Sequence, residues 1–348
     1  MNLFNHVSTR HRGFTLGLLF GVAVAFPLQL PAAEQPAPQA ELSVQQEQPS
    51  EIPAAPEQQQ GKLESVESAR DYLSGKFTGF ANNMDRFFGG DRHYQESNES
   101  VVQLSLTRVV GYGGDRKFDL AARVNLKLPV TEGKLRLLLE TDPEKNIAAE
   151  PAQGRAVLSN KVVVPGSAAV AVRYATAEEN VWHFSTDAGL KFPIPIKPFV
   201  RFRGSYAAPL GKWQMKAAES VYWFNALGVG ATTQLDFDRV LAGSRLFRSS
   251  SNATWLRDKH NVDLRQDFSF YHTLNERTAL LYQASAIGVS DPQLQVTDYV
   301  ALLFGRYRLH QKWLFLEVSP QLHFPREKKF KASAALSVRL EVLFDESR

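Results

Sequence analysis

The chain has no cysteine. That excludes thiolate nucleophiles, thiolate metal ligands and disulfides together. It also suits a polypeptide that crosses an oxidising compartment unfolded, and it removes the lipidated cysteine an anchored lipoprotein needs. A dominant charge of one sign is missing too. Forty Lys and Arg stand against 36 Asp and Glu, a net +4, with no basic stripe of the kind that marks a nucleic-acid binder. Phosphate loops are absent as well: Gly111-Tyr112-Gly113-Gly114 lies between two apolar-alternating runs and reads as a hairpin turn. Mean hydropathy is −0.26. That value fits a soluble protein, and equally a barrel in which only alternate residues meet lipid.

The N-terminal quarter is read in three parts. Arg10, His11 and Arg12 precede an apolar stretch from Gly13 to about Leu30 that ends in Ala32 and Ala33. This charged, apolar, small-residue order predicts a secretory signal peptide over residues 1–33, cut after Ala33 or, alternatively, after Ala25. A membrane anchor is disfavoured because Pro27 and Gln29 shorten the apolar run below about 20 residues. Residues 34–61 are rich in Pro, Gln, Ala and Glu and should form a disordered periplasmic linker. Residues 62–90 then predict one amphipathic helix. Val66, Leu73, Phe77, Phe80, Met84 and Phe87 recur at helical spacing on one face, and Gly89-Gly90 supplies a stop. Gly75 and Gly79 each weaken it by about 1 kcal/mol relative to Ala, so it needs a surface to pack on. Three surfaces stay open: the periplasmic end of the domain that follows, which it would cap or plug; a periplasmic protein partner; or a leaflet surface.

From residue 99 to 344 the period changes to two. Phe118, Leu120, Ala122, Val124, Leu126 and Leu128 alternate with Asp119, Arg123, Asn125 and Lys127. Trp182, Phe184, Leu190 and Phe192 alternate with His183, Ser185, Asp187 and Lys191. Residues 229–238 and 336–344 repeat the pattern. Alternation puts one apolar and one polar face on each strand. About fourteen such runs can be counted, with twelve as the alternative. Their lengths of up to about 14 residues exceed those of ordinary globular strands and match a tilted bilayer span. Aromatic residues gather near their ends: Trp182, Phe192, Phe199, Trp213, Trp223, Trp255 and Trp313. No helix or apolar segment remains to cover the greasy faces. The fold expected is therefore all-β, a transmembrane antiparallel barrel preceded by one helix.

At the C-terminus Ala335-Leu336-Ser337-Val338-Arg339-Leu340-Glu341-Val342-Leu343-Phe344 resembles the terminal strand that the barrel-assembly machinery of bacterial outer membranes recognises, although Asp345-Glu346-Ser347-Arg348 follows the aromatic. Trp313-Leu314-Phe315-Leu316-Glu317-Val318-Ser319-Pro320, with Pro325-Arg326-Glu327, is similar to segments of an uncharacterised proteobacterial outer-membrane family. The resemblance implies fold and an integral outer-membrane location with a periplasmic N-terminal segment. It implies no activity.

The chemistry on offer is that of a lined lumen. Arg123, Lys127, Arg136, Arg201, Arg203, Arg265 and Arg339 should point inward beside Glu140, Asp187, Asp263, Glu317 and Glu341. Such charges either satisfy one another across strands or form a constriction that passes small polar or anionic solutes. On that reading the chain is a passive channel; a barrel that binds a periplasmic component is the alternative. His183, Ser185 and Asp187 share a strand face but stand about 6.6 Å apart, beyond hydrogen-bond reach. The Asn-His-x-Ser-Asn-Gly block of outer-membrane phospholipases is missing, so a lipid-modifying enzyme is the least supported reading, and no cofactor is implied. His93, His260, His272, His310 and His323 are scattered, which argues against a metal site. The last extracellular loop carries Arg326, Lys328, Lys329 and Lys331, candidates for contact with lipopolysaccharide phosphates.

Overall fold

The computed structural model describes residues 84, 87–88, 100–113, 118–128, 134–146, 167–176, 181–192, 195–225, 227–241, 244–259, 261–309 and 313–345. The expected signal peptide, the linker and most of the 62–90 helix, with Val66, Leu73, Phe77 and Phe80, lie outside these residues. So do His93, His260 and His310.

Fourteen antiparallel strands close into a barrel. They are β1 (Val101–Gly111), β2 (Phe118–Lys127), β3 (Leu135–Thr141), β4 (Ala168–Ala175), β5 (Trp182–Phe192), β6 (Lys197–Leu210), β7 (Trp213–Phe224), β8 (Gly228–Leu241), β9 (Arg245–Leu256), β10 (Val262–Asn275), β11 (Thr278–Val289), β12 (Gln295–Arg308), β13 (Leu314–Pro325) and β14 (Ser333–Asp345). The seam joins β1 to β14, with Val101 opposite Asp345 and Gly111 opposite Ala335. Closure leaves no strand edge unpaired, the condition for backbone in hydrocarbon. Among the described residues no helix is long and apolar enough to cross a membrane; strands are a separate matter.

The two ends differ. At the end that holds both β1's start and β14's finish, connections are short: Gly211 and Lys212 alone join β6 to β7. Gly211 sits at φ +61°, where a side chain is strained. The opposite end carries the long 142–167 connection and the 326–332 loop. Short turns beside the termini and longer loops opposite are the arrangement of outer-membrane barrels.

The side-chain pattern is inside-out. Along β4, Val170, Val172 and Tyr174 face outward and are exposed, while Ala169, Ala171 and Arg173 are buried inside. The C-terminal strand does the same, with Leu336, Val338, Leu340 and Phe344 exposed and Ser337, Arg339 and Glu341 buried. Exposed aromatic residues ring the terminal-bearing end at Tyr174, Trp182, Tyr307, Trp313 and Phe344, and the other end at Phe118, Phe192, Trp223, Trp255 and Tyr299. Phe199, expected in this girdle, is instead fully buried inside the barrel and stacked on Phe224 at 4.9 Å. The reason is register: β6 begins with inward-facing Lys197, so odd-numbered residues point inward. Gly189 makes the stacking sterically feasible, because a Cβ there would lie 2.7 Å from the Phe199 ring.

The outward apolar belt has one gap. No large exposed hydrophobic residue lies on β8, and only Trp255 does on β9. Glu219, an exposed carboxylate of neighbouring β7, accepts a 2.6 Å hydrogen bond from Thr233 Oγ1. Replacing a lipid-facing carboxylate removes a desolvation cost. Glu219→Leu should therefore stabilise the barrel by about 1–2 kcal/mol in refolding from urea into lipid vesicles. A lower stability of the variant would show that Glu219 faces something other than lipid.

Candidate functional site: the barrel lumen

Every sequence-predicted lumen charge lies on the inward face of its strand, but the height differs. Arg136, Arg201, Arg203, Arg339, Glu140, Asp187, Glu317 and Glu341 are buried. Arg265 is mostly buried, and Arg123 is half-buried. Lys127 is exposed at the end of β2, and Asp263 sits near the opposite rim, paired with Lys259 at 3.1 Å.

Three networks organise the interior. On β3–β6, Arg173 grips Asp187 through Nε to Oδ1 at 2.6 Å and Nη2 to Oδ2 at 2.9 Å. Arg201 donates to Asp187 Oδ2 at 2.9 Å and to both Glu140 oxygens at 3.1 and 3.2 Å. The register makes this possible, since Arg173, Asp187 and Arg201 are direct partners on adjacent strands. Lys191 pairs with Glu144 from the 3-10 turn that follows β3. Both Asp187 oxygens are thus engaged by guanidinium groups, and that carboxylate serves an ion network.

The second network joins β12, β13, β14 and β1. Arg306, fully buried, pairs with Glu317 and with Glu341 Oε1 at 2.6 Å. Arg339 reaches Glu317 Oε2 at 3.2 Å and Thr107 at 2.8 Å, and Gln103 donates to Glu341 at 3.0 Å. A third pair, Arg248 with Asp238, is bidentate at 2.7 and 2.8 Å, and Arg248 also donates to Tyr271 Oη at 3.2 Å. Buried, bidentate pairs of this kind hold geometry far better than solvent-exposed ones.

Sequence reasoning missed Arg306 and Arg248. Arg306 was hidden because β12 is apolar on both faces next to it. Val300, Leu302 and Phe304 point inward while Tyr299, Leu303 and Tyr307 point outward. Those inward residues pack around the described end of the N-terminal segment. Met84 and Phe88 are buried in a cluster with Leu246, Tyr271, Ala279, Leu281, Val300, Leu302 and Phe304. Met84 and Phe87 are helical, and the Phe88 amide donates to Met84 O at 3.0 Å. Arg306 Nη1 donates to the Phe88 carbonyl at 3.2 Å. The Phe88 ring meets Tyr271 edge-on at 5.2 Å, and Phe87 meets Phe315 at 6.0 Å. Leu246, Tyr271, Ala279 and Phe315 all stand near the strand ends at the terminal-bearing mouth. Three residues of the segment therefore occupy the lumen there.

At the opposite end, Tyr112 in the β1–β2 turn donates to Glu327 at 3.0 Å, under Lys328 at 4.4 Å from its ring. Burial first, then the Glu327 bond and the charges of Glu327 and Asp298, push its phenol up to about 12. His323 bonds Asp298 at 3.1 Å beneath it, and His272 sits on a different strand and points outward. Among the described residues no group of three or more His, Asp and Glu is arranged to hold a metal ion. Arg326, Lys328, Lys329 and Lys331 are all exposed, although Arg326 bonds Gln295 and Lys328 bonds Ser333 at 3.2 Å.

No family model matches the sequence, and no curated protein matches it. Solved structures similar to this chain include outer-membrane porins and channels. One is the NanC porin, 7% identical, covering 69% of this chain and 98% of its own, with a TM-score of 0.38. A loop-deletion form of OmpT, an outer-membrane protein of Vibrio cholerae, is 10% identical over 70% of this chain and 98% of its own, TM-score 0.41. The outer-membrane channel DcaP of Acinetobacter baumannii is 9% identical over 71% and 96%, TM-score 0.39.

Proposed function

We propose that this chain is an integral barrel of a bacterial outer membrane that lets small polar solutes, anions among them, diffuse through, with its N-terminal segment on the periplasmic side. The observation that carries the reading is the inside-out partition of one closed sheet, apolar outside and ionic within. The wall of β3–β6 supports the anionic preference. It presents Arg136, Arg173, Lys191, Lys197, Arg201 and Arg203 inward against Glu140 and Asp187 on the same strands. A surplus of fixed positive charge in a confined aqueous path raises the local anion concentration.

The refolded full-length chain in a planar bilayer should give discrete current steps, with a reversal potential in a salt gradient that reports anion preference. Silence from both the full chain and a variant with Met84 and Phe88 truncated overturns the reading. The burial of Met84 and Phe88 inside the barrel favours a plug over a docking face for a periplasmic partner.

The 326–332 loop adds a surface contact. Lys329 and Lys331 extend beside exposed Phe330, whose ring lies 5.7 Å from that of lipid-facing Tyr299. Cations next to a membrane-seated aromatic pair suit the phosphates of lipopolysaccharide. Lys329→Glu with Lys331→Glu should weaken retention on immobilised lipopolysaccharide; unchanged retention removes the contact.

A further inference from the structure

The inward wall of β8–β10 is chemically unlike the arginine-rich wall of β3–β6. Gln234 faces Asn252 and Asp236 faces Ser250 across the β8–β9 pairing, and on β10 Arg265 faces Asn252 and Asp267 faces Ser250. These six side chains form one patch about 7 Å by 10 Å, from the strand rise and strand spacing, the scale of one or two sugar rings.

Inside this patch the hydrogen bonds among the residues orient groups without using them up. Gln234 Nε2 donates to Asp236 at 2.8 Å, which leaves Gln234 Oε1 without a partner. Arg265 Nε donates to both Asp267 oxygens at 2.9 Å, and its Nη2 has none. Ser250 Oγ, on a side chain only 1% exposed, and both amide atoms of Asn252 are likewise unpartnered. Neighbouring groups on the same wall are satisfied: Thr232 bonds Thr254 at 3.1 Å, and Gln283 bonds Asp267 and Ser285 at 3.0 and 2.8 Å. Buried polar groups normally find partners, so a contiguous set of unmet donors and acceptors calls for a ligand that supplies both.

We infer that this patch is a solute-binding site for an uncharged, hydroxyl-rich molecule, a neutral sugar or polyol, on the path of the transport reading on which it rests. The unmet set comprises two carbonyl-type acceptors, an amide donor, a guanidinium donor and a hydroxyl. A sugar hydroxyl donates and accepts at one atom and so pairs with any of them. Asp236 and Asp267 are balanced by Arg265 and by Lys216, which stands opposite Asp236 on β7, so the patch carries no net charge to attract an anion, in contrast to β3–β6. The two walls thus divide the work: one attracts charge, the other recognises hydroxyls.

The test titrates the full-length refolded chain in detergent with maltose by calorimetry, uses gluconate as the anionic control, and repeats maltose addition in the bilayer. Saturable maltose binding without gluconate binding is expected. Ser250→Ala with Asn252→Leu should weaken it about tenfold or more, as the loss of two or three hydrogen bonds implies, and Ser250→Ala alone should weaken it less. Heat-modifiable mobility on gels confirms that both variants fold. Absence of maltose binding, preference for gluconate, or equal affinity in the double variant overturns the site. If current flows but maltose neither binds nor interrupts it, the site falls and the transport reading stands. If maltose binds while the bilayer stays silent, the transport reading falls and the site stands.

Discussion

Arg306→Met should cost the barrel about 3–5 kcal/mol in unfolding from lipid vesicles, the largest single-residue loss expected outside the strand backbone. The guanidinium is fully buried and neutralises Glu317 and Glu341, which are buried as well. It also covers the Phe315 ring at 4.0 Å and holds the Phe88 carbonyl. Methionine keeps much of the volume and removes every bond the guanidinium makes, leaving two buried carboxylates beside Arg339 and Gln103 without their shared cation. Adding Glu317→Gln and Glu341→Gln should recover most of the loss, because the cost is that of stranded charge. A deficit below about 1 kcal/mol, or no rescue, would mean that water in the lumen solvates these carboxylates well enough to make the pairing incidental.

The way Arg306 escaped detection shows what alternation can and cannot convey. Where the lumen face is wetted or ionic, period two is clean. Thus β2, β5, β8 and β14 were legible at residue level. Around the docked segment the inner faces of β11 and β12 are themselves apolar, with Ala279, Leu281, Val300, Leu302 and Phe304 gathered around Met84 and Phe88. There the strands are apolar on both sides, so the pattern could not tell inside from outside, and Arg306 was lost with it. Phe199 and Glu219 illustrate the converse. Residue type assigned Phe199 to the girdle and would turn Glu219 inward; register put Phe199 inside and left Glu219 facing outward. The charge networks depended on pairing register across strands, which no single-strand pattern encodes. The β8–β10 patch needed more still, since its residues are ordinary lumen types and only the bonds they leave unmade distinguish them.

On the proposed transport reading, Met84→Ala with Phe88→Ala should turn a restricted path into an open one. In the native chain the Phe88 ring packs on Tyr271 and Phe304, and Met84 packs beneath it, where its sulfur accepts from Thr273 Oγ1 at 3.3 Å. Truncating a buried Phe costs about 3–5 kcal/mol, which shifts a docked–undocked equilibrium by about two to four powers of ten. The barrel wall itself changes little, because every strand pair remains bonded, so the global unfolding midpoint should move far less than the docking equilibrium. Single-channel recordings on the variant are then expected to show larger and longer current steps than the native chain, and steady sugar-permeation assays a faster flux. Equal conductance in the two proteins would mean that solutes already pass beside the segment, and would assign Met84 and Phe88 to bracing the β9–β13 wall.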